Sequence, residues 1–294
     1  MTFITDTIKG IFIGIANIIP GVSGGTIALS MGIYDKLIGA VSNFLKDWKK
    51  SLLTLLPILI GCGIGLIGFA FAIEYLLSEH TFVTCMAFIG LILGGLPILI
   101  RQLKEKVAQN GGSIGVSGIL AFVILFAFAI ILPLLSSGEE VLRTLTATPG
   151  TMVIMFVIGV IASATMVIPG VSGSLVLMIL GYYYGIIQSI KTFLEALKAF
   201  DIPALTNGFL ILFPLGVGIL LGIFLIAKLI TFLFERYGVQ TYCAILGLIL
   251  SSPFAIFYNT GLFRQLGQLN FLLILAGVLI AIVGAVVTYL LGEK

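Results

Sequence analysis

The feature that most constrains this chain is a succession of apolar stretches of roughly twenty residues each, separated by short hydrophilic gaps. At 1.5 Å of rise per residue, a helix of roughly that length crosses the 30 Å hydrocarbon core of a bilayer. Hydrophobic residues make up 60% of the 294 and charged residues only 9%, more apolar surface than a soluble domain of this size hides. The stretches therefore read as membrane helices and the chain as an all-α integral membrane protein. A formal charge of +3 is too small to indicate nucleic-acid binding, and the basic residues fall in the gaps, where they act as topology signals. Cys62, Cys85 and Cys243 lie inside apolar segments without metal-ligand spacing, so they read as packing residues and no metal site is expected. At the N-terminus Lys9 adjoins the apolar run and a Pro-Gly turn stands where a cleavage site would belong, so the segment reads as mature protein.

The chain also repeats itself. Ile19-Pro20-Gly21-Val22-Ser23-Gly24-Gly25 recurs as Ile168-Pro169-Gly170-Val171-Ser172-Gly173-Ser174. Gly32 and Tyr34 then match Gly181 and Tyr183, and the spacing of Pro57, Gly61 and Gly65 returns in Pro214, Gly218 and Gly222. Residues 1–140 and 141–294 accordingly read as two repeats. Each begins with a hairpin, about 4–44 and about 150–194, and continues with three spanning helices. The helices are expected at about 52–77, 82–103 and 115–136, then at about 206–234, 239–260 and 268–291.

Each motif interrupts the middle of its hairpin. Proline removes a backbone donor and disfavours helix just before it, and glycine admits conformations that other residues resist. The arms on either side are short, which reads as a re-entrant hairpin with its tip near mid-membrane; two kinked spanning helices are the alternative. With three helices between re-entrant hairpins, the second enters from the opposite face, giving inverted-topology repeats. That threading puts Lys9, Lys46, Lys49, Lys50, Arg101, Lys104, Lys106, Arg236 and Lys294 on the face holding both termini, against Arg143, Lys191, Lys198 and Arg264 opposite. By the positive-inside rule both termini are expected in the cytoplasm, and the location in the cell inner (plasma) membrane.

A broken helix at mid-membrane must line a cavity or be buried in protein, because an unpaired peptide group in hydrocarbon costs several kcal/mol. The helix restarting after each break offers free N–H groups and a positive dipole end, which attract anions. Gly21, Ser23, Gly24, Gly25 and Thr26 in the first copy, and Gly170, Ser172, Gly173 and Ser174 in the second, are therefore candidate phosphate-binding residues, with Asn17 and Thr165 just before the turns completing the shell. Close helix packing is the competing reading of each turn, and it suffices for the small-residue pairs Gly61/Gly65, Gly90/Gly94, Gly181/Gly185 and Gly218/Gly222. Tyr182, Tyr183 and Tyr184 read as an interfacial belt or a lipid cradle. Glu74 and Lys228 are ionisable residues within membrane segments and are candidates for ion coupling or headgroup attraction.

Ala16-Asn17-x2-Pro20-Gly21-Val22-Ser23-Gly24-Gly25-Thr26 followed by Gly32-Ile33-Tyr34, with its second copy at 169–174, resembles the PopT-type polyprenyl-phosphate translocases, a family formerly known only as a domain of unknown function. The resemblance covers essentially the whole chain. It implies a flippase that returns undecaprenyl phosphate, the carrier lipid of peptidoglycan and other cell-envelope polymers, to the cytoplasmic leaflet. It implies neither an enzyme nor a cofactor; coupling to a proton or sodium gradient is expected on electrical grounds, since the potential opposes inward movement of an anion. Ser174 stands where the first copy has Gly25, so the two half-sites need not bind equally. A transporter of a small soluble anion is the alternative. A lipid-phosphate phosphatase is less favoured, since it needs a nucleophile and a general acid, whereas His80, the only histidine, lies in a loop and neither motif carries an acid or base.

Overall fold

The computed structural model describes residues 2–19, 22–135 and 145–292. Pro20 and Gly21 of the first motif, Arg143 and Lys294 lie outside the described residues. Within them the chain is helical, with no strand, as an environment without water requires of a chain that must pair its own peptide groups. The helices are α1 (Thr2–Ala16), α2 (Gly24–Ser30), α3 (Tyr34–Ser42), α4 (Trp48–Glu79), α5 (Thr81–Gly94), α6 (Leu96–Gln109) and α7 (Val116–Leu134). After them come α8 (Pro149–Val167), α9 (Gly173–Ile179), α10 (Tyr183–Ala199), α11 (Ile202–Arg236), α12 (Gly238–Asn259) and α13 (Phe271–Gly292). Seven spans among the described residues are long and apolar enough to cross a membrane: α4, α5 with α6, α7, α8, α11, α12 and α13. The protein is a multi-pass membrane protein, and all six spanning helices expected from the sequence are present.

The hairpins differ from expectation in two respects. Each outgoing arm, expected as one helix, is broken again: α2 from α3 at 31–33 and α9 from α10 at 180–182, the second pair bent by 106°. The cause is a glycine in the left-handed region in each gap, Gly32 at φ +65° and Gly181 at φ +75°, a conformation that side-chain-bearing residues avoid. Gly181 is thus a turn residue, not half of a packing pair with Gly185. The incoming arms also differ from one another. At 15 residues α1 is about 22 Å long and falls short of crossing, whereas α8, at 19 residues, reaches about 28 Å, close to the hydrocarbon thickness.

Two pairs of helices carry the motif tips. α1 lies along α4, and α8 lies along α11. Both interfaces bring backbones together at glycine: Gly61 and Gly65 of α4 sit on the carbonyls of Thr7 and Ile11, and Gly10 and Gly14 of α1 sit on those of Ile58 and Cys62. The second pair repeats this, with Gly218 and Gly222 on the Phe156 and Val160 carbonyls and Gly159 on that of Leu215. Two further pairs join opposite parts of the chain. α7 packs on α12, with Gly247 against Phe122, and α13 packs on α5, with Gly90 and Gly94 against Ala281 and Ala285. In hydrocarbon such contact must come from close van der Waals packing, because lipid tails are as apolar as the side chains. Outward faces carry exposed apolar residues such as Phe71, Leu220, Leu272 and Val283.

Gly61→Leu and Gly218→Leu place a side chain where a neighbouring carbonyl already sits, and each should lower the thermal midpoint of the detergent-solubilised protein by the equivalent of about 1–3 kcal/mol. Gly63→Leu and Gly216→Leu, whose Cβ positions face open space, should leave it unchanged.

Candidate functional site

The two motif tips meet. A cavity of about 440 Å³ is lined by Asn17, Ser23, Gly24 and Gly25 from one copy and by Met166, Ser172, Gly173 and Ser174 from the other, closed at its sides by α3 and by Leu66 of α4. None of its lining residues is charged. The backbone explains how each tip is made. α1 ends in a turn in which the Ile13 carbonyl accepts both from the Asn17 backbone N–H at 3.2 Å and from the Asn17 side-chain amide at 3.0 Å, which fixes that side chain at the helix end. Ser23 is extended, at φ −101° and ψ 132°, and its carbonyl starts α2 by accepting from Thr26 N and Ile27 N.

A serine before a helix normally folds its hydroxyl back onto the second or third N–H. Neither motif serine does so. Ser23 Oγ donates across the interface to the Ile168 carbonyl at 3.5 Å, and Ser172 Oγ shares a 3.0 Å hydrogen bond with Ser174 Oγ. The first N–H groups of α2 and α9, which have no intrahelical acceptor, are left without the usual side-chain cap on the rim of a shared chamber. Glycine at these positions lets the neighbouring groups pack closely. A Cβ on Gly24 would lie 2.8 Å from the Asn17 amide, and one on Gly25 would lie 2.8 Å from the Val167 carbonyl.

Three of the candidates do not line the cavity, and two of these hold the tips together. Thr26, 1% exposed, accepts at Oγ1 from Gly170 N at 2.6 Å, a bond between the two motifs. Gly170, at φ +81°, lies against the Leu248 carbonyl, where any side chain would collide. Thr165 donates to its own helix at the Ala162 carbonyl, 2.8 Å away. Position 166 is the register equivalent of Asn17, and Met166 packs on Gly173 as Asn17 packs on Gly24, so the chamber is chemically lopsided. Glu74 and Lys228 are exposed and do not line the cavity; Lys228 Nζ lies 4.6 Å from the Phe224 ring centre, within range of a cation–π contact.

Other residues come into the site unannounced. Tyr34, buried at the start of α3, donates from its hydroxyl to the Val167 carbonyl at 3.0 Å, tying the first hairpin to the second tip. Its echo in Tyr183 was the signal, and the repeat alone does not say what the pair does. A second cavity of about 290 Å³ adjoins the first through Ile38 and gathers Asp35, Lys106, Glu235 and Tyr242 from α3, α6, α11 and α12. Those residues are far apart in sequence, and only the packing of four helices brings them together.

Comparison with known proteins identifies the family. The model of a family described as VCA0040-like, undecaprenyl phosphate translocase-like, matches residues 13–264. The chain belongs to that family. A Staphylococcus aureus protein named polyprenyl-phosphate transporter is 30% identical over 290 residues, 98% of this chain and 95% of its own length. A Vibrio cholerae protein of the same name is 29% identical over 267 residues, covering 86% of this chain and 77% of its own. No solved structure matches the chain.

Thr26→Val deletes the acceptor of a buried N–H and should cost about 1–3 kcal/mol, read as a lower thermal midpoint. Thr165→Val, which removes only a bond within one helix, should change it by less than about 0.5 kcal/mol.

Proposed function

We propose that this protein carries polyprenyl phosphate from one leaflet to the other, holding the phosphate in the chamber between the two motif tips. The observation that carries the reading is that both uncapped helix starts and both motif serines border one chamber without a charged lining residue. An isolated phosphate in hydrocarbon would cost tens of kcal/mol by Born solvation, and neutral donors fixed in place can replace its water without leaving a stranded positive charge when it departs. The relatives' name, polyprenyl-phosphate transporter, supports the same substrate. Only the headgroup needs shelter; the isoprenoid remains in lipid. On this reading the protein is a transporter in the plasma membrane and catalyses no reaction.

Movement follows from an inverted arrangement of the two repeats, 1–140 and 141–294, which three helical spans between the hairpins would produce. Tyr34 grips the Val167 carbonyl, whereas its counterpart Tyr183 is only half-buried and lies edge-on to Tyr184, ring centres 5.3 Å apart. The symmetric partner of Val167 is Ile18. In the opposite state Tyr183 would grip Ile18 and Tyr34 would let go, exposing the chamber to the other leaflet. Both termini lie in the cytoplasm, in keeping with the excess of lysine and arginine in the gaps on that side. Inward passage of the anion runs against the membrane potential by about 2.3 kcal/mol per charge per 100 mV, so an entering proton or sodium ion would drive it.

Two experiments test this. In liposomes, wild type should deplete outer-leaflet polyprenyl phosphate, faster with an inward proton or sodium gradient, and should neither take up nor release inorganic phosphate. Ser23→Ala with Ser172→Ala should slow the depletion by about tenfold or more, since a hydrogen bond to a charged group is worth about 1.5–3 kcal/mol. Wild type that moves no lipid phosphate under any gradient, or that moves inorganic phosphate instead, overturns the reading. In the second, Tyr34→Phe removes a bond made in one state only, which at about 1 kcal/mol should raise the other state's share several-fold. Amide exchange over 22–26 and 167–174 should quicken; unchanged exchange counts against the switch.

A further inference from the structure

Beside the phosphate chamber lies an apolar groove of about 370 Å³ between α7, α11 and α12. Tyr34 lines both spaces, and consecutive residues of the second tip divide between them: Met166 and Val167 face the chamber, Ile168 and Pro169 the groove. The floor is Ile230, Ile245 and Leu248, at 7%, 5% and 3% exposure, while Leu229 and Tyr237 at the rim are about half exposed, at 49% each. The groove is therefore open along one side and closed at its base. It reaches the chamber at the wall made by Tyr34.

We propose that this groove seats the isoprenoid units nearest the phosphate, so that the protein recognises the lipid's tail as well as its headgroup. The proposal rests on the phosphate reading of the chamber. A headgroup held between Ser23 and Ser172 must send its tail out through some wall, and the groove is the apolar space that shares a residue and a backbone turn with the chamber. Its volume falls within the range of about 300–1,000 Å³ found for small-ligand sites, which admits the first few units and leaves the remainder in the bilayer. Moving a tail from lipid to this groove gains nothing from the hydrophobic effect, since both are hydrocarbon; selectivity must come from shape and van der Waals fit. Branched side chains on a fixed floor favour a stiff, methyl-branched, unsaturated chain over a straight acyl chain, which loses more freedom on being confined.

The test uses the wild-type protein in nanodiscs and a polyprenyl phosphate carrying a photoreactive diazirine on its second isoprene unit. Adducts are expected on 226–233 of α11 and 244–248 of α12, suppressed by excess unlabelled polyprenyl phosphate and not by excess phosphatidic acid. Adducts spread over the outward faces of α4 and α13, or equal suppression by phosphatidic acid, would mean that ordinary lipid fills the groove and would overturn the proposal. Leu229→Trp at the open rim, and Ala244→Phe as a second variant, narrow the groove. Each should slow transport of polyprenyl phosphate by about tenfold, a ten-carbon prenyl phosphate included because both its units sit in the groove, while slowing a straight-chain alkyl phosphate less; slowing of none, or of all three equally, counts against it. The two readings fail separately: transport with labelling elsewhere removes the groove alone, and labelling here without transport removes the transporter alone.

Discussion

A peptide group inside a bilayer must find its partner in the protein, and this requirement governs where the chain can break. Twice the helix stops short of a Pro-Gly pair and restarts beyond it, at Gly24 after Ala16 and at Gly173 after Val167, and both restarts border one chamber. The bonds that secure them cross from one copy of the motif to the other: Gly170 N to Thr26, Ser23 to the Ile168 carbonyl, Tyr34 to the Val167 carbonyl. Each tip is finished by groups belonging to its counterpart. The donors left over border the chamber between the two motifs, whose lining of backbone and hydroxyls carries no charge.

Much of this was legible in the chain. Long apolar runs, a doubled motif and paired glycines led to the spanning helices, to the tips and to the close interfaces of Gly61, Gly65, Gly218 and Gly222, because those features depend on local chemistry and on spacing along one helix. The second break in each hairpin escaped, although Gly32 and Gly181 were visible as an echo: a glycine four residues before another, as Gly181 is before Gly185, reads equally well as packing or as a turn, and only its φ decides. Which polar residues face the chamber escaped too. Thr26 sits beside Ser23 and Gly24 in sequence, yet one further residue of helical rotation turns it away from the chamber and onto Gly170. Glu74 and Lys228 stood out by being charged in apolar segments, whereas the charges that adjoin the chamber, Asp35, Lys106 and Glu235, sit near helix ends and are gathered only by tertiary packing.

The two copies are alike in plan and unlike in chemistry. Asn17 and Met166 occupy the same place relative to their glycines, Gly25 faces Ser174 in register, and one hairpin is clasped through Tyr34 while the other rests Tyr183 on its neighbour. A chamber assembled from unequal halves presents different groups on its two sides. Differences of a few hydrogen bonds amount to about 1–3 kcal/mol, enough to weight an equilibrium between two arrangements of the same scaffold without forbidding either.

The pairing of α7 with α12 and of α13 with α5 bears on how the molecule is made. During synthesis α7 enters the bilayer long before its partner α12 exists, and α5 waits with Gly90 and Gly94 uncovered until α13 arrives. Contacts of such long sequence separation form late. A nascent chain that has not yet inserted α13 would therefore hold Gly90 and Gly94 open to lipid.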